Sequence, residues 1–259
     1  MNLQDSLQSL SPIHLSEMEG TELMSRLDQK FLIQSDWIPL LIKSCKDHYK
    51  ILEVEGARQS GYSNRFIDTK LNDSLHAHTR GRKIRFKARI RQYDSNGKSF
   101  LEIKEKTVQG KTIKSRLERG KKVDLFEELS GVEWDFLNEH YRYNEPKLSD
   151  ISCHFNRLTL VSTERQERIT IDTDIVFKSK ERTEDLGSLA IVEVKQEAID
   201  RFSPLLVALK AFRFEHTPLG RRTSLSKYVL GMLLLNPDLP PRSYRMVMKR
   251  IRRLKNLIN

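Results

Sequence analysis

The chain has 259 residues, 38% of them hydrophobic and 31% charged, and carries a formal net charge of +11. That length supports one large domain or two small ones with a substantial core, and the basic balance points to an anionic partner: nucleic acid, an anionic membrane surface or phosphorylated small molecules. Two cysteines, Cys45 and Cys153, exclude a disulfide framework and a cysteine zinc site; with no signal-like start and no apolar run of ~18 residues, a cytoplasmic protein is expected.

Residues 1–20 are polar and acidic and read as a flexible or loosely docked arm. Arg26 to Ile33 alternates and reads as a strand; Ser35-Asp36-Trp37-Ile38-Pro39 then starts a helix through about Lys46. Further strands are expected at Tyr49 to Val54, Tyr62 to Asp68, Lys83 to Tyr93, Ser99 to Lys106 and Lys111 to Leu117. Asp94-Ser95-Asn96-Gly97 joins two of them as a hairpin turn, because Asn-Gly tolerates positive φ. Val123 to His140 reads as helical, Ile151 to Val161, Arg168 to Phe177 and Leu189 to Lys195 as strands. The remainder, Ile199 to Phe214, Ser226 to Leu235 and Arg242 to Ile258, reads as helix. The expected organisation is one domain over 21–240, rich in antiparallel strands, followed by a basic helix over 241–259.

Residues two apart on a strand share a face. Lys83 to Tyr93 therefore puts Arg85, Lys87, Arg89 and Arg91 on one side and Ile84, Phe86, Ala88 and Ile90 on the other. Other strands repeat the pattern with carboxylates added: Arg26, Asp28 and Lys30; Glu102, Lys104 and Lys106; Arg168, Thr170, Asp172 and Asp174; Glu193 and Lys195. A flat sheet would turn this mixed face to water. A closed barrel would turn it inward, with helices covering the apolar face outside. The chemistry suits a polyphosphate, since arginine forks grip phosphate oxygens, lysines act as point charges, and interleaved carboxylates would hold Mg²⁺ or Mn²⁺.

These pieces resemble the triphosphate tunnel metalloenzymes, and among them the VTC domain, the polyphosphate polymerase domain of the vacuolar transporter chaperone complex. The resemblance runs from about Ser25 to Leu235: Arg26 to Phe31 is similar to the family's first strand, Arg65 to Thr69 to its Tyr-Phe-Asp-Thr segment, and Lys83 to Tyr93 to its basic strand. Phe100 to Lys106, Arg168 to Asp174, Val192 to Lys195 and Ser226-Lys227-Tyr228 follow in order. It implies an α+β fold, a closed antiparallel β-barrel tunnel with helices packed outside. The family's phosphate-binding cations map onto Lys30, Arg89, Arg91, Lys104, Arg157, Arg168 and Lys227, and its metal-binding glutamate onto Glu193, with Glu102, Asp172 and Asp174 as further metal candidates. Arg26, Arg85, Lys87, Lys106, Lys195, Ser226 and Arg222 complete the expected substrate-binding set. Two departures stand out. The superfamily's Glu-x-Glu-x-Lys strand appears here as Arg26-x-Asp28-x-Lys30, and Ser224 occupies the place of an additional family lysine, for which Arg221 or Arg222 would substitute.

The activity implied is metal-dependent transfer of the ATP γ-phosphoryl group to pyrophosphate or polyphosphate, with release of ADP. Two alternatives stay open: a tunnel hydrolase of tripolyphosphate or nucleoside triphosphate, and a non-catalytic module binding polyphosphate, inositol phosphates or RNA. Specific nucleic-acid binding is not expected, because the aromatic residues Tyr62, Phe66, Phe86, Tyr93 and Phe100 are read mostly as core. His76 and His78 are read as a solvated pair in a polar turn. The C-terminal helix, with Tyr244, Val247, Ile251, Leu254 and Ile258 on one face, would pack outside the barrel or touch anionic lipid, a membrane-protein partner for export, or emerging polymer. A peripheral position at the inner face of a membrane is the corresponding alternative to a freely cytoplasmic one.

Overall fold

The computed structural model describes residues 2–18, 27–121, 123–215, 222–239 and 244–256. Eleven strands, β1 (Pro12–Ile13), β2 (Leu27–Gln34), β3 (Tyr49–Leu52), β4 (Ser60–Thr69), β5 (Arg85–Tyr93), β6 (Lys98–Lys106), β7 (Thr112–Lys121), β8 (Pro146–Ser162), β9 (Glu167–Lys178), β10 (Thr183–Asp185) and β11 (Leu189–Gln196), form a single sheet. Its helices are α1 (Leu3–Gln8), α2 (Ile38–Cys45), α3 (Asp73–Thr79), α4 (Gly131–His140), α5 (Pro204–Glu215), α6 (Lys227–Leu235) and α7 (Arg245–Asn256).

The main strand path is β2-β11-β9-β8-β4-β5-β6-β7, antiparallel throughout. The expected closed barrel is not closed by hydrogen bonds: among the described residues no ladder joins β2 to β7. The reason lies at the edge of β2, which is partly taken by the segment before α6. Thr223 N donates to Lys30 O at 2.8 Å, and Arg222 bridges Phe31. The sheet nevertheless curls far enough that its two end strands, through Asp28 and Lys30 on β2 and Thr112 and Lys114 on β7, line one cavity.

The apolar strand face is covered by helices, as the alternation requires. Phe86, Ala88 and Ile90 of β5 pack with Leu101 and Ile103 of β6 beneath Leu137 and Tyr141 around α4. α4 starts at Gly131, later than the expected helical segment, because Ser130 and Glu133 form a reciprocal capping box there. The larger core joins β2, β8, β9 and β11 to α2, α5, α6 and α7. α5 likewise begins late, at Pro204, a residue tolerated in a first helical turn and disruptive further in. Residues 3–13 dock on this core: Leu7 and Leu10 are buried in it, and Arg58 donates to the carbonyls of both. The basic C-terminal helix packs through Tyr244, Met248, Ile251 and Leu254, leaving Arg245, Lys249, Arg252 and Arg253 exposed; Ile258 lies outside the described residues.

Two helices also reach the charged side of the sheet, α3 through His78 and α6 through Lys227 and Tyr228. α3 and α6 are fastened there by Asp68 of β4, whose carboxylate accepts from the backbone of Ser74 and Leu75 and from the hydroxyls of Tyr141 and Tyr228. Gly231 lets α6 close on β9, since a Cβ there would sit 2.8 Å from the Phe177 ring. Together these helices floor one end of the curled sheet.

Candidate functional site

A cavity of about 380 Å³ occupies the charged side of the sheet. Twelve lysine and arginine side chains and three carboxylates line it, among the described residues. The alternation anticipated for β5 holds: Arg85, Lys87, Arg89 and Arg91 all face this space. Lys104, Lys106 and Glu102 join them from β6, Arg157 from β8, Arg168 from β9, Glu193 and Lys195 from β11, Lys30 from β2, and Ser226 and Lys227 from the start of α6.

Two expected site residues, Arg222 and Asp174, are not brought together with these. Arg26 and the alternative Arg221 lie outside the described residues. Arg222 is exposed and meets β2 through its backbone, away from the cavity wall. Asp174 is a correction to the strand reading. It sits at a bulge with φ of 50°, so the period of two breaks after Asp172, and its carboxylate accepts from Asn156 and Thr173 at the protein surface.

Glu102 and Glu193 of the cavity lining, and Asp172 just behind it, are committed to cations. Glu102 Oε2 accepts from Arg89 Nε and Nη2 at 2.9 and 2.6 Å, with Arg91 at 3.8 Å from Oε2 and Arg116 at 3.9 Å from Oε1. Glu193 lies 3.4 Å from Lys30 Nζ and 3.1 Å from Lys195 Nζ. Asp172, behind the cavity wall, holds the fork of Arg157 at 2.6 and 2.8 Å and also the Lys227 ammonium. Burial opposes ionisation of all three, but the neighbouring cations outweigh it and hold each well below the usual carboxylate range.

The lysines show the opposite strain. Burial first, then Lys30, Arg85 and Arg89, push Lys87 down to about 7. Burial likewise lowers Lys195 to about 8, against the pull of Glu193, and Lys104 well below its ordinary value, with Arg89 and Arg91 adding to the effect. Arg157 moves upward despite burial because Asp172 grips it. Burial and like charge both disfavour the charged form of these lysines, a cost that an anion among them would offset.

Of the five aromatic residues read mostly as core, Phe66, Phe86 and Phe100 are buried, and Phe66 also lines the cavity. Arg91 and Arg157 each stand 5.3 Å over Tyr62, which stacks on Phe155, while Arg116 lies 3.4 Å over Phe100. Phe66 and Phe86 belong to the two apolar clusters. Lys114, Thr112, Phe155, Tyr228 and His78 also line the cavity without having been singled out as site residues. Thr112 and Lys114 fall two apart within an expected strand, so carrying the alternation one strand further finds them. His78 carries no such signal, because the sequence around it reads as a polar turn whereas the structure forms α3 there.

No group of three or more metal-ligating side chains is gathered among the described residues. The donor set does not fit a dedicated protein cage. It fits a hard divalent ion that arrives on phosphate oxygens and takes one or two carboxylates from the wall, of which Glu193 faces the cavity between two lysines.

No curated protein matches the chain by sequence. Solved structures similar to it include a Vibrio parahaemolyticus protein (15% identity, 80% of this chain and 98% of that chain covered, TM-score 0.44). PH1819 from Pyrococcus horikoshii is similar at 12% identity, with 82% and 99% covered and a TM-score of 0.44. HpAC1 from Hippeastrum, described as having a dominant triphosphatase activity, is similar at 16% identity, with 80% and 93% covered and a TM-score of 0.43. The VTC domain family matches residues 25–236, a span that opens just before β2, closes just after α6 and takes in every residue lining the cavity. The chain belongs to the VTC domain family.

Proposed function

We propose that this protein is a metal-dependent polyphosphate polymerase that transfers the γ-phosphoryl group of ATP to a terminal oxygen of pyrophosphate or polyphosphate, releasing ADP. The observation that carries this reading is the cavity's excess of twelve cations over three carboxylates along a curled sheet in a VTC-domain chain. A sheet that curls round a phosphate chain acts as a tunnel without needing every backbone pair closed.

Phosphoryl transfer asks the protein mainly for in-line positioning and charge neutralisation. Arg89, Arg91, Arg157 and Arg168 grip phosphate oxygens in this scheme, and Lys30, Lys104 and Lys227 neutralise the chain along its length. Arg85, Lys87, Lys106, Lys195 and Ser226 extend the track on either side. A bound Mg²⁺ or Mn²⁺, held through Glu193 with Glu102 or Asp172 nearby, would neutralise phosphate charge further. The acceptor is already an anionic oxygen, so the scheme requires no general base.

ATP, pyrophosphate and polyphosphate are the partners of this reading, and a cytoplasmic position, with export through a membrane protein, is its cellular counterpart. No helix among the described residues is long and apolar enough to cross a membrane. Incubation with ATP and Mn²⁺ tests the activity. Acid-labile polymer with one ADP per added phosphate supports it, orthophosphate without polymer assigns a triphosphatase instead, and binding without turnover assigns a polyphosphate-binding module.

A further inference from the structure

His76 and His78 stand two apart on α3, roughly 200° around the helix, so they face opposite ways. His76 is exposed, whereas His78 lines the cavity. The short helix is fixed at its start by Asp68, which accepts from Ser74 and Leu75 N at 2.8 and 3.1 Å, and near its end by Thr79 Oγ1, which donates to Leu75 O at 2.9 Å. Ser74, Leu75 and Ala77 are buried beside it. The imidazole is thus aimed by a rigid support.

The His78 Nε2 atom is buried and has no hydrogen-bond partner in the protein. Buried ring nitrogens ordinarily find one, and leaving one unmet costs free energy unless a ligand meets it. The charged groups that act most strongly on the ring, Lys87 and Arg85 of β5, Lys30 of β2 and Lys106 of β6, are all cations, a setting that favours an anion over a metal ion. Burial and these four cations keep the ring neutral, lowering it to about 2. A neutral imidazole can still donate one N–H, and an anion placed among those cations is the group that would accept it.

We propose that His78 is a phosphate-contacting residue, its Nε2–H donating to a phosphate oxygen of the chain bound between Lys87, Lys106 and Lys30. This rests on the polyphosphate reading of the cavity and adds to it a neutral, directional contact among point charges. Such a contact selects chain position, which lysines alone do poorly.

The test follows the seven histidines of the intact protein by two-bond ¹H–¹⁵N correlation, with and without tripolyphosphate, the peak missing from His78→Gln identifying the ring. The expected result is a shift of the His78 Nε2 signal at saturating tripolyphosphate. His78→Phe should weaken tripolyphosphate binding about tenfold, the loss of one hydrogen bond to a charged acceptor, while His78→Gln, which keeps a donor, should lose only about twofold. Tripolyphosphate binding that leaves the His78 signal unmoved overturns this inference alone. Failure of the wild-type protein to bind tripolyphosphate at all overturns the polyphosphate reading with it.

Discussion

Arg157 of β8 and Asp172 of β9 face each other on one rung of the sheet and are joined by both prongs, Nε to Oδ1 at 2.6 Å and Nη2 to Oδ2 at 2.8 Å. Lys227 from α6 reaches the same carboxylate, so a single buried anion ties two strands and a helix together at the cavity wall. Removing it should strand two cations. Asp172→Asn is expected to cost the empty protein roughly 3 kcal/mol, seen as a lower thermal midpoint. Tripolyphosphate should restore more of that midpoint in the variant than it adds to the wild type. An unchanged midpoint would show that the pair does not hold the wall.

Arg89 and Arg91 share Glu102 and face the cavity. Replacing both by alanine should weaken tripolyphosphate binding at least about 100-fold by calorimetry, since each removes a charge-assisted contact. Affinity within a few-fold of wild type would mean that β5 does not line the phosphate path.

The depressed lysines set the pH dependence. Lys87 and Lys195, at about 7 and about 8, lose protons in the folded protein that the unfolded chain keeps until well above pH 9. The unfolded state then binds more protons, so these groups make the empty protein more stable as pH rises from about 7 towards 10. A bound polyanion favours the charged lysines. Binding near pH 8 should therefore take up protons, visible as a dependence of calorimetric heat on buffer ionisation enthalpy, and affinity should fall as pH rises from 7 to 9. Proton release on binding would contradict this.

Substitution of Glu193 is expected to separate metal use from phosphate binding. Glu193→Gln removes a negative charge from the cavity, so metal-free tripolyphosphate binding should hold or strengthen. Metal-dependent turnover of ATP should fall by about two orders of magnitude, the usual scale for one lost electrostatic contact in a transition state. Turnover that survives the change would remove Glu193 from the metal site.

Much of this site was legible as a period of two. β5 and β6 sort their cations and apolar residues as their sequences imply, and Gly97 closes the hairpin between them with φ of 66°. Alternation identifies two faces but does not reveal which way a sheet curls, and that depends on contacts far apart in the chain, such as Thr223 with Lys30. It also fails wherever an extra residue enters a strand, which is why Asp172 faces its partners and Asp174 faces solvent. Of the two helices that reach the charged side, α6 reads as a helix in the sequence and α3 does not. α3 is seven residues long and polar, and its inward placement is set by the buried carboxylate of Asp68 rather than by an apolar stripe.

The most direct test of the central claim is a crystal structure of the protein with tripolyphosphate. The account predicts phosphate groups inside the curled sheet, within hydrogen-bond distance of Arg89, Arg91, Arg157 and Lys104. Phosphate found only on exposed cations such as those of α7, with the cavity filled by water, would contradict it.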